Sequence, residues 1–184
     1  KGLPEGERRL EGYLFPDTYQ VDGESSEISI IDTMLERFAG VIEELDYQAQ
    51  AEKNGLTLHE ALTIASMVER EAMVDEERAL IAGVIYNRLR IDMPLQVDAT
   101  VQYALGETKP ILYYGDLEVD SPYNTYKIYG LPPGPIAMPG RNSLLAAVQP
   151  AATEYLYYVA RPDGTHLFAA TLAEHEANRE RCEQ

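Results

Sequence analysis

The segment Thr57–Ala72 constrains the fold more than any other part of the chain. Thr57-Leu-His-Glu60 fits a capping box: the threonine hydroxyl takes a backbone N–H three residues on, and the glutamate reaches back to the cap. Leu58, Leu62, Ala65, Val68 and Ala72 then recur at helical spacing. Such a helix gains its stability when the apolar stripe is covered, so the rest of the chain must pack against it. The length of 184 residues suits one domain. With 45% hydrophobic and 25% charged residues, the composition excludes wholesale disorder. The 13 Gly and 11 Pro follow no period, which excludes a collagen-like or coiled-coil chain.

Around this helix the pattern predicts mainly helices, then a small strand pair. Leu10–Tyr19 reads as short extended structure. Ile28, Ile31, Leu35, Phe38, Val41, Ile42 and Leu45 mark a long helix over Glu27–Lys53, with Gly40 as its expected break. A further helix follows Asp75 and runs to Arg90. Asp98 is expected to cap a short helix that stops at Gly106. Tyr123-Asn-Thr-Tyr126 and a short apolar strand precede the stiff loop Gly130–Gly140, which is either functional or a rigid connection. Asn142 or Ser143 is expected to cap a helix to Val148. Tyr155–Val159 and His166–Ala170 read as strands around the Pro162-Asp-Gly164 turn, and Thr171-Leu-Ala-Glu174 opens a terminal helix with a second capping box. Helices followed by a small antiparallel set give an α+β fold.

Charge narrows the partners. Thirty-one acids against 15 bases leave a formal charge of −16. That argues against nucleic acid, which requires clustered Lys and Arg, and against docking on an anionic membrane. No charge-free stretch reaches the ~20 apolar residues of a transmembrane helix. The single Cys182 cannot form an internal disulfide.

No metal-ligand spacing, nucleophile elbow or phosphate loop occurs, so no metal or cofactor is implied and carboxylate chemistry remains. At about 100° per residue, Glu69 falls about 20° from Leu58, inside the apolar stripe, whereas Glu71 falls near 220°, at its far margin. A carboxyl in such a place has a raised pKa, as a general acid requires. The same position also suits an ion pair with Arg88 or Arg90. Gln96 and Asp98 lie beside a helix start where hydroxyl and amide groups of a ligand could bind, although on pattern alone capping is the favoured role of Asp98. Tyr155, Tyr157 and Tyr158 read as ordinary strand residues.

Several blocks resemble one family. They are Leu10–Tyr19, Ala65-Ser-Met-Val-Glu-Arg-Glu71, Val84-Ile-Tyr-Asn-Arg-Leu89, Pro94–Tyr103, Tyr123-Asn-Thr-Tyr126 and Gly130–Ile136, with His166 and His175 near the end. In this order they resemble the endolytic murein transglycosylase, or YceG-like, family over roughly residues 10–180. The resemblance implies a single catalytic domain that cleaves peptidoglycan between N-acetylmuramic acid and N-acetylglucosamine and leaves 1,6-anhydro ends. It implies Glu69, the first Glu of the Val-Glu-x-Glu block, as the catalytic acid. Gln96, Asp98, Tyr123, Asn124 and Tyr126 are the expected holders of acetamido and hydroxyl groups. Family members carry an N-terminal membrane anchor and a LysM-like module, neither of which is visible in this sequence. The implied address is extracytoplasmic, with the membrane reached through that anchor and the cell-wall synthesis machinery as a partner. Two other activities remain open: a lysozyme-type hydrolase with Asp98 or Asp75 as second carboxylate, and a glycan-binding scaffold without catalysis.

Overall fold

The computed structural model describes residues 10–182. Its chain order is α1 (Glu27–Glu44), α2 (Tyr47–Lys53), α3 (Leu58–Glu71), α4 (Arg78–Arg90), α5 (Asp98–Leu105), α6 (Arg141–Val148), β1 (Tyr157–Ala160), β2 (His166–Ala169) and α7 (Leu172–Cys182). The fold is α+β, as expected.

The α3 helix begins with the capping box read from the sequence, both halves of which are formed. Every residue from Ala61 to Val68 is buried, so α3 is covered on all sides and not along one stripe. Its two buried hydroxyls are satisfied within this packing. Thr63 Oγ1 donates to His59 O at 2.8 Å, and Ser66 Oγ donates to Thr63 O at 2.7 Å while accepting the Ile136 N–H at 3.0 Å. Leu144 and Ala147 of α6 and Ile81, Ala82 and Ile85 of α4 belong to the same core. Truncating a fully buried residue such as Leu62 to Ala would cost about 2–5 kcal/mol.

Polar groups on α4 steer the chain that follows α6. A Cβ at Gly83 would lie 2.6 Å from Ala151 O, so only glycine lets residues 151–156 cross so closely. Asn87 Nδ2 donates to Thr153 O and Tyr155 O, each at 2.8 Å, and Arg88 Nε donates to Leu156 O at 2.7 Å. These bonds deliver β1 beside the end of α3. The β1–β2 hairpin is antiparallel, with Tyr158 opposite Phe168 and Ala160 opposite His166. Two strands alone are marginal, and α7 packs against both of them. The α7 capping box is present, with Thr171 Oγ1 accepting Glu174 N–H and Glu174 Oε2 accepting Thr171 N–H.

Several local expectations are corrected. The first helical segment breaks at Leu45–Asp46 and not at Gly40: Asp46 takes a left-handed conformation (φ 45°), which aspartate tolerates. Asp98 makes no cap; it is the first residue of α5, whose cap position is Val97. Gly140, not Asn142 or Ser143, occupies the α6 cap, because those two side chains bind Asp75 and Arg78. Leu10–Tyr19 and the segment after Tyr126 form turns and irregular structure without strand pairing.

Candidate active site

The end of α3, the start of α5, the hairpin and α7 enclose a cavity of about 430 Å³. Glu71 lines it, with Gln96, Asp98, Tyr126, Tyr158 and His166. The Tyr158 hydroxyl donates to Glu71 Oε2 at 3.0 Å, and the Tyr126 hydroxyl donates to Asp98 Oδ1 at 2.5 Å. Desolvation pushes the Glu71 carboxyl above its ordinary pKa, and the neighbouring Asp98 charge pushes the same way. The Tyr158 hydrogen bond, the His166 charge and the Ala99 backbone N–H oppose that rise. Burial, then the Glu71 charge, raises the Tyr158 hydroxyl well above the ordinary range, so it serves as a donor.

Glu77 fixes the neighbouring wall. Its carboxylate accepts the His166 backbone N–H at 3.0 Å and meets Nδ1 of the same residue at 2.7 Å. A carboxylate only accepts, so Nδ1 is the donor in this contact. The ring stands edge-on to Tyr158, with centroids 5.4 Å apart, so Glu77 steadies the tyrosine that holds Glu71.

Glu69 lies outside this group. Its Oε2 accepts the Gly140 N–H at 3.0 Å and sits 3.5 Å from Arg78 Nη1, and the side chain does not line the cavity. The pairing arginine is thus Arg78 of α4 and neither Arg88 nor Arg90. Arg78 also donates to Ser143 Oγ at 2.6 Å and to Asp75 Oδ1 at 2.7 Å. Glu69 therefore ties the end of α3 to α4 and to the start of α6. Glu69 is turned inward only in part, its side chain being 30% exposed, and because Ala61–Val68 is buried on every side the apolar stripe does not single out one inward face for the turn that follows. Asp75, held by Arg78 and Asn142, is also absent from the cavity lining.

Of the five expected binding residues, Gln96, Asp98 and Tyr126 come together on the cavity. Tyr123 and Asn124 do not line it. Tyr123 packs against Tyr103, with ring centroids 4.8 Å apart. Asn124 is fully buried; its Nδ2 donates to Leu117 O and Val119 O, and its Oδ1 accepts the Tyr126 N–H. Asn124 shapes the turn that presents Tyr126. The adjacent Thr125 Oγ1 accepts the Val97 N–H at 2.9 Å and so anchors the start of α5, whose Ala99 N–H bonds Glu71. The Asp98 carboxylate makes no cap bond and lines the cavity. The stiff loop Gly130–Gly140 docks on α3 through Pro133 O to His59 Nε2, Ile136 to Ser66 and Gly140 to Glu69. Glu71, Tyr158 and the Glu77–His166 pair were missed as site residues; the only signal for Glu71 was a second carboxylate two positions after Glu69.

The YceG-like family model matches residues 3–181. An endolytic murein transglycosylase of Bacillus subtilis (strain 168) is 47% identical over 173 residues, covering 94% of this chain and 48% of that protein. One of Streptococcus pneumoniae serotype 2 (strain D39) is 40% identical over 177 residues, covering 92% and 32%. The crystal structure of a YceG-like protein from Listeria monocytogenes superposes with a TM-score of 0.86 at 46% identity, covering 92% of this chain and 55% of that one. The chain thus spans about half or less of the curated relatives it matches.

Proposed function

Because this chain belongs to the YceG-like family, we propose that its cavity cleaves peptidoglycan glycan strands by lytic transglycosylation, with Glu71 as the acid. The observation that carries the reading is the half-buried Glu71 carboxyl on the cavity wall, beside Asp98 and fixed by Tyr158, where desolvation raises its pKa.

Protonated Glu71 donates to the oxygen linking the muramoyl and glucosaminyl rings while positive charge develops at the muramoyl C1. The bond breaks and the glucosaminyl 4-hydroxyl leaves. The ionised Glu71 then takes the proton of the muramoyl C6 hydroxyl, whose oxygen attacks C1 and closes the 1,6-anhydro ring. The attack is intramolecular and needs no protein nucleophile, so one carboxyl serves as acid and then as base. Asp98 faces the developing charge, and Gln96 and Tyr126 hold hydroxyl and acetamido groups. Glu69, assigned the acid's role by the resemblance, is in this reading a structural clamp. The substrate lies outside the cytoplasmic membrane, so the address is extracytoplasmic. Enzymes that extend the strands are the matching class of partner.

Asp98 supports a second reading. Two carboxyls on one cavity are what a hydrolase uses, with the second activating water or attacking C1. Mass spectrometry of digested strands decides between them, since anhydro ends weigh one water less than reducing ends. Anhydro products lost in Glu71→Gln and kept in Glu69→Gln support the first reading; reducing ends support the second. Strand binding without any cleavage would leave a scaffold role.

A further inference from the structure

The cavity has a second group of side chains that the proposed chemistry does not use. Arg88, Tyr157, His175 and Arg179 also line it. Acids outnumber bases two to one in this chain. Yet among the described residues neither Arg88 nor Arg179 has an ion-pair partner. Arg88 is buried, 8% exposed, with its guanidinium 5.3 Å from the Tyr157 ring centre. Its Nε and Nη1 are held by the carbonyls of Leu156, Pro94 and Leu95 and, at 3.5 Å, by Gln96 Oε1, whereas Nη2 makes no hydrogen bond among the described residues. His175 stacks on the other contact of this group, Tyr157, with centroids 5.2 Å apart, and its Nδ1 is buried without a hydrogen-bond partner. Burial first, then the charges of Arg179 and Arg88, hold the His175 pKa below its ordinary value, against a smaller opposing pull from Glu176. A buried guanidinium without a counter-charge is costly unless a ligand supplies one.

We infer that Arg88, Arg179 and His175 form a carboxylate-binding subsite that reads an acidic substituent of the strand. This rests on the glycan-cleaving reading of the same cavity. A planar guanidinium matches a carboxylate, and the aromatic Tyr157 face keeps Arg88 oriented for it. In peptidoglycan the carboxylate has two sources: the lactyl group of a peptide-free muramoyl residue, or the stem peptide.

The test uses peptide-bearing strands, peptide-free strands and both after conversion of their carboxylates to methylamides. Binding is measured calorimetrically on a Glu71→Gln chain, and cleavage on the unaltered chain. Methylamidation should weaken binding roughly tenfold, the size of one charge-assisted hydrogen bond. Arg179→Gln should weaken charged strands by a similar factor and leave methylamide strands unchanged, with Arg179→Lys recovering part of the loss. Arg179 is chosen because it is exposed, whereas Arg88 also holds the backbone. An effect on peptide-free strands names the lactyl group; an effect confined to peptide-bearing strands names the stem. Equal binding of charged and methylamide strands, or an equal loss on both in Arg179→Gln, overturns the subsite. Cleavage without charge dependence overturns it and keeps the cleavage reading. Charge-dependent binding without cleavage does the reverse, and no binding at all ends both.

Discussion

Glu69 and Glu71 stand two residues apart at the end of one helix, each with a backbone donor, and the rest of their surroundings differ. Glu69 faces a basic side chain and a backbone donor, Arg78 and the Gly140 N–H, and joins three elements of the core. Glu71 also meets donors, the Tyr158 hydroxyl and the Ala99 backbone N–H, with His166 nearby, but it lines an open cavity beside an acid and has no arginine or lysine partner among the described residues. The difference teaches that a carboxylate in a packed domain is assigned by its counter-charges. One surrounded by fixed donors is spent on structure. One whose desolvation outweighs the donors around it is left able to hold and release a proton.

The largest expected effect is on turnover. Glu71→Gln keeps the shape and removes the proton, so kcat on glycan strands should fall by roughly 10²–10⁴, the usual worth of a general acid. Glu69→Gln should stay within a few fold. A hundredfold loss in Glu69→Gln, in protein with an unchanged circular dichroism spectrum, would reverse the roles proposed for the pair.

Stability should separate them in the opposite sense. Glu69→Ala strands the Gly140 N–H and frees Arg78, and denaturant titration should show a loss of about 1–3 kcal/mol. For Glu71 the sign follows from linkage. Its folded pKa lies above its unfolded value, so the folded state binds more protons between the two and stability falls as pH rises through that window. Glu71→Gln lacks this penalty. It should melt higher than the unaltered chain at neutral pH, and the advantage should vanish below the ordinary carboxylate range. A melting-temperature difference that does not change with pH would contradict the assigned pKa.

Two neighbours should move the alkaline limb of the pH–rate profile in opposite directions. Asp98→Asn removes a charge that raises the Glu71 pKa, so activity should be lost at lower pH than in the unaltered chain. Tyr158→Phe removes a hydrogen bond that favours the ionised form, so the limb should shift upward. Shifts of the same sign in both variants would mean that the limb reports another group.

Much of the fold could be read from the sequence because its signals are local. The Thr57 and Thr171 capping boxes, the Gly106 stop and the hairpin around Pro162-Asp-Gly164 are each written within a few residues. The site was legible by block and not by residue. Gln96, Asp98 and Tyr126 converge, but the choice between Glu69 and Glu71 depended on an apolar stripe that loses its meaning once α3 is enclosed on all sides. Nothing within α3 announces that β1 will arrive beside Glu71; Asn87 and Arg88 of another helix arrange it through bonds to residues 153–156. Asp98 has the sequence position of a cap, yet the start of α5 is held from elsewhere, by Thr125 on the Val97 N–H and by Glu71 on the Ala99 N–H.

The smallest effect concerns how Glu69 shares its task. Ser66 and Glu69 lie three residues apart on α3 and hold one loop, through Ile136 N–H and Gly140 N–H. If that loop is released as a unit, the second loss removes less than it would alone. In a double-mutant cycle with Ser66→Ala and Glu69→Ala, the combined destabilisation should fall short of the sum by about 0.5 kcal/mol or more. The corresponding cycle of Ser66→Ala with Glu71→Gln should be additive within about 0.3–0.5 kcal/mol, because Glu71 bonds to Tyr158 on the hairpin and not to this loop. Coupling of Ser66 to Glu71 as strong as its coupling to Glu69 would mean that the two carboxylates belong to a single network, and the contrast between them would fail.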